Sequence, residues 1–164
     1  MFNLAQSSTT ETKPELYREL LGELTALVEG ERDPVANMAN TAALLFHRLP
    51  ALNWAGFYRL IGDGLLLGPF QGKPACIRIP IGKGVCGTAV AQRTSIVVPD
   101  VNAFPGHIAC DSASRSELVV PLIQDGRITG VLDLDSPERA RFDEDDRRGC
   151  EQLAAILMKA CAPL

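Results

Sequence analysis

A predicted β-hairpin in the second half of the chain constrains the fold more than any other feature. Two segments of alternating residues flank Asp125-Gly126, a pair typical of tight turns between antiparallel strands. A two-residue turn would place Glu117 and Asp133 on opposite faces, whereas a three-residue loop, 124–126, shifts the register by one residue. Glu117 then lies directly opposite Asp133, Asp135 shares their face, and the other face becomes uniformly apolar. The hydrophobic pattern therefore predicts the three-residue loop and brings three carboxylates together.

The remaining segments predict helices on both sides of a group of strands. Thr12 and Glu15 have the spacing of a capping box at the start of a helix, and Asp33-Pro34 begins a second helix. A further amphipathic helix follows Asp143 near the end of the chain. Strands are predicted at 54–60, 65–70, 75–81, 95–98, 116–123 and 128–135, with a short helix at 85–93. This order predicts an α+β fold, a central antiparallel sheet flanked by N-terminal and C-terminal helices.

Length, charge and cysteine content limit the kind of protein. A chain of 164 residues corresponds to one domain, which we assign to 12–164 after a polar tail, 1–11, that we expect to be disordered. The net charge of −4, without a cluster of Lys or Arg, argues against a nucleic-acid partner. We find neither a signal peptide nor an apolar run near the roughly 18 residues of a membrane helix. We therefore expect a cytoplasmic protein with no membrane partner. Five cysteines, an odd number, fit a reducing compartment better than a disulfide framework.

The three carboxylates of the hairpin have two interpretations. Acids that alternate along a strand usually form a solvated outer face, but Val119, Pro121 and Val131 lie on the same face and disfavour full exposure. Like charges held close together repel one another, so a buried cluster needs a cation, a metal or shared protons. The pattern leaves both the solvated face and the cation site open. The ammonium group of an amino acid would suit the cation site well.

Three cysteines precede the hairpin: Cys76, Cys86 and Cys110. Free cysteines are commonly small buried hydrophobes, and we expect this of Cys150 and Cys161, which continue the apolar stripe of the last helix. Cys86 differs because it lies in a glycine-rich turn that opens a helix, where amide groups would stabilise a thiolate. Cys110 lies in a loop that solvent can reach. Thiols and carboxylates so close in sequence suggest redox chemistry on a small ligand that carries a cation.

Other interpretations of these segments are weaker. One is a zinc site with four ligands, Cys76, Cys86, His107 and Cys110. Its spacings lack the close C-x-x-C pairs of most structural zinc sites. Residues 82–87 match G-x-G-x-x-G after a strand, yet the following helix is too short for the crossover of a dinucleotide-binding unit. Trp54 and Tyr58 share a strand face, which is typical of a core and also compatible with an aromatic box around a methyl group or cation.

Five motifs in this chain closely resemble those of the free methionine-(R)-sulfoxide reductases, compact enzymes built on a GAF domain. The motifs are N-W-A-G-F-Y at 53–58, G-P-F-Q-G-K at 68–73, G-V-C-G-T-A at 84–89, G-H-I-A-C-D at 106–111 and G-V-L-D-L-D at 130–135. The likeness extends over nearly the whole chain, and ordinary GAF domains lack this pattern of three cysteines. The resemblance implies a single GAF domain that reduces free L-methionine-(R)-sulfoxide to methionine.

The resemblance also implies roles for the cysteines. The catalytic cysteine of the family corresponds to Cys110, its main resolving cysteine to Cys76, and its third cysteine to Cys86, a relay or an alternate partner. Cys110 would become a sulfenic acid and then a disulfide with Cys76, which a thioredoxin-type reductant would reduce again. The implied enzyme is a homodimer and needs no metal or organic cofactor. The alternative is a stand-alone GAF module that binds a small ligand and senses redox state through the same disulfide, without turnover.

The substrate site of the family falls on the acids and aromatic residues already considered. Its carboxylates correspond to Glu117, Asp133 and Asp135, and Trp54 and Tyr58 match aromatic pocket positions. We expect Asp133 or Asp135 to assist at the sulfoxide, because acids held together have raised pKa values and can donate protons. We expect Glu117 to hold the substrate ammonium group.

Overall fold

The computed structural model describes residues 12–108 and 112–163. Within them the chain forms four α-helices and six β-strands, with one turn of 3-10 helix at Val101–Ala103. The helices are α1 (Lys13–Leu27), α2 (Pro34–Arg48), α3 (Gly84–Gln92) and α4 (Glu144–Ala160). The strands are β1 (Trp54–Ile61), β2 (Gly64–Gly72), β3 (Arg78–Pro80), β4 (Ile96–Val98), β5 (Ser116–Gln124) and β6 (Arg127–Ser136). The predicted α+β class is confirmed, whereas the tail predicted to be disordered, 1–11, lies outside the described residues.

Short-range hydrogen bonds explain where the first and last helices begin. The Thr12 amide donates to Glu15 Oε2 at 3.0 Å, within the capping box predicted at the start of α1. At the start of α4, Asp143 Oδ1 accepts from the amides of Asp145 and Asp146 at 3.0 and 3.2 Å. These bonds satisfy amide groups that have no partner within the helix, so both helix starts are fixed locally.

The six strands described here form one antiparallel sheet in the order β3-β2-β1-β6-β5-β4. Its two faces are covered differently because side chains alternate along each strand. From β1, Ala55 and Phe57 enter a core that residues of α1, α2 and α4 complete. Trp54 and Tyr58 enter a second, smaller cluster with residues of α3. The predicted central sheet with flanking terminal helices is confirmed, and α3 covers its second face.

The hairpin of β5 and β6 reaches its register differently from the prediction. Its turn has two residues, Asp125 and Gly126, whose φ angles are both positive, 50° and 76°, and the residues that flank them pair directly. Asp and Gly tolerate this left-handed conformation better than other residues. A β-bulge follows at Thr129, which has no counterpart on β5. The predicted three-residue loop is therefore wrong, because the extra residue lies in the strand rather than in the turn.

The bulge shifts the register by one residue, in the direction opposite to the shift that the longer loop would have caused. Glu117 lies opposite Asp135, and Asp133 lies opposite Val119, so the predicted pairing of Glu117 with Asp133 is wrong. All three acids nevertheless share one face, because residues two apart on a strand point the same way. On the other side of β6, Trp54 of β1 lies opposite Asp135. The predicted convergence of the three carboxyl groups is confirmed.

Candidate active site

A pocket opens on the second face of the sheet, beside the start of α3. Six residues predicted for the site line it: Trp54, Tyr58, Cys86, Glu117, Asp133 and Asp135. Cys76 does not line the pocket itself, but its neighbour Ala75 does. Cys110 lies outside the described residues, and Ile108, two positions before it, also lines the pocket. The structure therefore brings the predicted acids and aromatic residues together around one pocket.

The carboxyl groups of Glu117 and Asp133 are almost completely buried, with 6% and 7% of these residues exposed. Removal from water disfavours the charged form, so burial raises the pKa of both groups well above the usual range. Neighbouring negative charge raises both pKa values further, that of Asp135 on Glu117 and that of Glu117 on Asp133. The cluster therefore favours shared protons over three full charges.

Hydrogen bonds join the two buried acids to each other and to Cys86. The Asp133 carboxyl group bonds to Glu117 and accepts from the Cys86 thiol. One polar atom from each of the three side chains lies within 4.8 Å of the other two. Asp133 Oδ1 is buried and has no hydrogen-bond partner among the described residues. This buried oxygen is therefore available to a bound molecule.

The environment of Cys86 contradicts two expectations from the sequence. Burial, followed by the negative charges of Asp133 and Glu117, raises the pKa of the Cys86 thiol well above its usual range, so the predicted thiolate is wrong. Among the described residues, the metal-compatible group is Cys86 with these two acids and includes neither Cys76 nor His107. The zinc ligand set considered from the sequence is therefore not assembled in the described part of the chain.

His107 contacts the cluster from the loop that precedes Cys110. Its Nε2 atom lies 3.4 Å from Glu117 Oε2. Burial lowers the pKa of His107 and so favours the neutral ring. The sequence pattern indicates His107 only as a zinc ligand, although the residue belongs to the G-H-I-A-C-D motif. The structure places it against a carboxyl group that is predicted to bind the substrate.

Trp54 and Tyr58 form an aromatic wall of the pocket. Their ring centroids are 6.0 Å apart, and Trp54 also stacks on Phe70 at 5.3 Å, a contact that the sequence did not predict. Trp54 Nε1 donates to the carbonyl oxygen of Lys73 at 3.1 Å. The Tyr58 hydroxyl donates to the carbonyl oxygen of Cys76 at 3.0 Å. The wall therefore also holds the segment that carries Cys76 beside the pocket.

The two remaining cysteines are buried away from the pocket. Cys150 is fully buried between α1 and α4, where its Sγ lies 3.6 Å from the Tyr17 hydroxyl. Burial raises the pKa of the Cys150 thiol to about 12. Cys161 is buried at the end of α4 in the same core. The prediction that both residues are part of the core is confirmed.

Comparison with known proteins places the chain in a family. A GAF domain model matches residues 18–161. The free methionine-R-sulfoxide reductase of Escherichia coli is 53% identical over 150 residues, which cover 92% of this chain and 91% of that protein. The chain belongs to the GAF-domain free methionine-R-sulfoxide reductase family. The free methionine-R-sulfoxide reductase of Saccharomyces cerevisiae is 43% identical over 162 residues, which cover 94% of this chain and 90% of the yeast protein.

A solved structure of the family has the same fold over nearly the same length. The free methionine-R-sulfoxide reductase of Neisseria meningitidis, in complex with its substrate, is 51% identical with a TM-score of 0.92. The match covers 98% of this chain and 95% of that chain. The GAF fold implied by the motifs is therefore confirmed. In the part of this family member that the structure describes, no helix is both long and apolar enough to span a membrane.

Proposed function

We propose that this chain is a thiol-dependent oxidoreductase that reduces free L-methionine-(R)-sulfoxide to methionine. The observation that carries the proposal is a pocket that both carboxyl groups and aromatic rings line. The substrate has a matching shape and charge, since it carries an ammonium group at one end and a methyl sulfoxide at the other. The family to which the chain belongs supports the same activity.

The ammonium group would bind at Glu117, and the methyl group would lie against Trp54 and Tyr58. A carboxylate buried among other acids is stabilised by a cation that is buried beside it. The attraction between the two charges offsets the cost of removing the carboxylate from water. A methionine residue within a peptide has no free α-ammonium group to offer. The pocket therefore supports a preference for the free amino acid over the oxidised residue in a protein.

The chemical step would transfer oxygen from the substrate to Cys110. The Cys110 thiolate attacks the sulfoxide sulfur, and the sulfoxide oxygen gains a proton and is transferred to Cys110 Sγ. The bonds from the substrate sulfur to the oxygen and to Sγ both break, so the products are a Cys110 sulfenic acid and methionine. Asp133 or Asp135 would supply a proton to the oxygen. The raised pKa of Asp133, caused mainly by burial, supports this role because it keeps a proton available for donation.

A second thiol would complete the cycle. The Cys76 thiol condenses with the sulfenic acid, which forms the Cys76–Cys110 disulfide and releases water. A thioredoxin-type dithiol then reduces the disulfide by exchange. The bond from Tyr58 to the Cys76 carbonyl group supports this assignment, because it holds the Cys76 segment near the pocket. These steps use no metal or organic cofactor.

The test is turnover of the separate R and S epimers of free methionine sulfoxide by the purified protein, with thioredoxin, its reductase and NADPH. We expect oxidation of NADPH with the R epimer only, and none in Cys110→Ser. Cys76→Ser should complete one turnover and then stop for lack of a resolving thiol. Sustained turnover in that variant would remove Cys76 from the cycle. A wild type that forms the disulfide but turns over neither epimer would instead be a redox-sensing GAF module.

We extend the proposal to a cytoplasmic homodimer, on the basis of the resemblance to the family. A reducing cytoplasm would keep the thiols available and would contain the dithiol reductant. Sedimentation equilibrium should then give twice the 17.7 kDa mass of the chain. A monomer at micromolar concentration would remove the dimer from the proposal without affecting the chemistry.

A further inference from the structure

Cys86 is placed where a redox-active thiol would be hard to reach. Only 3% of the residue is exposed, compared with the half-buried Cys76. Its thiol lies against the carboxyl groups of Glu117 and Asp133 rather than against a positive charge. Thiols that attack sulfenic acids or disulfides are usually exposed and held as thiolates by positive surroundings. The surroundings of Cys86 have the opposite character.

The backbone fixes the position of the Cys86 side chain. The Gly82 amide donates to the carbonyl oxygen of Gly87 at 2.8 Å, which ties the first turn of α3 to the loop before it. A Cβ atom on Gly87 would lie 2.3 Å from the carbonyl oxygen of Pro80, so this close approach requires glycine. The residue next to Gly87 therefore has little freedom to move. The Cys86 thiol is a fixed hydrogen-bond donor in the wall of the pocket.

The Cys86 thiol and the Glu117 carboxyl group both contact the carboxyl group of Asp133. Asp133 Oδ1 is buried and has no hydrogen-bond partner among the described residues. Contacts with two neighbouring side chains restrict the rotation of the carboxyl group. The Asp133 carboxyl group, which lines the pocket, is then held in a constant position, as a group that contacts a reacting oxygen must be.

We propose that Cys86 is a positioning residue whose thiol holds Asp133 in the orientation that contacts the substrate, and that Cys86 takes no part in the disulfide cycle. The inference rests on the proposed reductase function. Because its pKa is raised, the Cys86 thiol keeps its proton at neutral pH, as a permanent donor must. The same property makes it a poor nucleophile. Serine carries a hydroxyl donor in the place of the thiol and should replace cysteine here, whereas alanine has no donor and should not.

The experiment compares Cys86→Ser with Cys86→Ala in the thioredoxin-coupled assay with the R epimer. We expect Cys86→Ser to keep kcat/KM within about threefold of the wild type and Cys86→Ala to lose about tenfold, the usual effect of one lost hydrogen bond to a charged or acidic group. Cys150→Ala is the matched control, because it removes another buried, hydrogen-bonded thiol far from the pocket. Its kcat/KM should not change.

The pH dependence of a single turnover separates positioning from a general loss of structure. The Asp133 carboxyl group faces the Cys86 thiol, which belongs to α3, and the Glu117 carboxyl group, which belongs to β5. Asp135 lies two residues further along β6, and His107 contacts Glu117. The bond from Cys86 lowers the pKa of Asp133, so removal of the donor should move the alkaline limb of the profile to higher pH. Serine should restore the limb, and Cys150→Ala should leave it unchanged.

Disulfide mapping of the wild type, trapped with acid during turnover, requires no variant to fold. We expect Cys86 to be a free thiol throughout. A disulfide that contains Cys86, or an equal loss of activity in Cys86→Ser and Cys86→Ala, would overturn the inference while the reductase function stands. A wild type inactive with both epimers would overturn the reductase function, and the positioning role with it.

Discussion

Glu117 is the residue at which most contacts of the pocket meet. Its Oε2 atom lies 3.4 Å from His107 Nε2, its carboxyl group bonds to Asp133, and it lies opposite Asp135 on the neighbouring strand. These contacts come from a loop and from a second strand. A buried carboxyl group with acidic neighbours is poorly compensated, so an arriving ammonium group would be more favourable here than at the surface.

Substitution of Glu117 by glutamine should weaken substrate binding without removing the chemistry. The Glu117→Gln side chain would keep the shape and lose the charge, so we expect KM for the R epimer to rise about tenfold or more, with a change in kcat of less than about threefold. Steady-state kinetics measure both. Glu138→Gln, an exposed change outside the pocket, is the control. An unchanged KM would show that the ammonium group binds elsewhere.

For single residues, the sequence predicts the site residues that recur at the two-residue spacing of a strand and does not predict those that lack a regular spacing. Glu117, Asp133 and Asp135 could be placed on one face because strand residues alternate. The contact of His107 with Glu117 has no such period, since His107 lies in a loop whose path depends on the rest of the fold. The stacking of Phe70 on Trp54 depends on how two strands pair, which alternation alone does not determine.

Between α1 and α4, a buried ionic network holds two elements from opposite ends of the chain. Asp146 is completely buried, and its Oδ1 accepts from Arg141 Nη1 and from the Tyr17 hydroxyl, each at 3.0 Å. Lys13 pairs with the other oxygen. The Asp143 amide also donates to Asp146 Oδ2 at 3.0 Å, as part of the cap of α4. One carboxylate therefore compensates two cations and helps to start a helix.

Asp146→Asn should destabilise the protein while leaving its active site intact. The variant leaves the buried guanidinium group of Arg141 without its counter-charge, which costs about 3 kcal/mol in comparable cases. Urea unfolding measures the loss in free energy of unfolding. Asp145→Asn, an exposed change in the same turn, is the control and should cost less than about 0.5 kcal/mol. Equal stabilities for the two variants would contradict a structural role for the network.

The hairpin of β5 and β6 shows what an amphipathic pattern determines about an element. An extra residue in the turn and an extra residue in the strand have the same effect on which side chains face the core. The pattern could therefore predict the common face of the acids, but not the bulge at Thr129. The cap at Thr12 was predictable because both partners lie within one turn of helix.

Over the whole molecule, the sheet order assembles the pocket from distant segments. β1 lies between β2 and β6, and this pairing places Trp54 opposite Asp135 and Gly56 opposite Asp133. Local signals predict each strand, but they do not predict that β1 pairs with β6 across the strands and the helix that separate them in sequence. The adjacency of the aromatic wall and the acids is thus a consequence of topology.

The same arrangement gives the molecule a stability that depends on pH. Burial raises the pKa of Glu117 and of Asp133 above their ordinary values of 4.5 and 3.8. Between the ordinary and the raised values, the folded protein binds more protons than the unfolded chain. Stability contributed by these groups is therefore greatest at low pH and falls as pH rises through the raised values. This is the opposite of the usual behaviour of acids in ion pairs.

Asp133→Asn should reduce this dependence, because an amide needs no proton to be neutral in the pocket. We expect the melting temperature of the variant, relative to wild type, to rise between about pH 5 and about pH 8, since the wild type loses stability over that interval and the variant loses less. Thermal unfolding at both pH values measures the difference. Asp63→Asn, in the exposed turn between β1 and β2, should show no such change. The contrary outcome is a difference in melting temperature between Asp133→Asn and the wild type that is the same at both pH values. The pKa of Asp133 would then not be raised in the folded protein, and its assignment as the proton donor to the sulfoxide would fail as well.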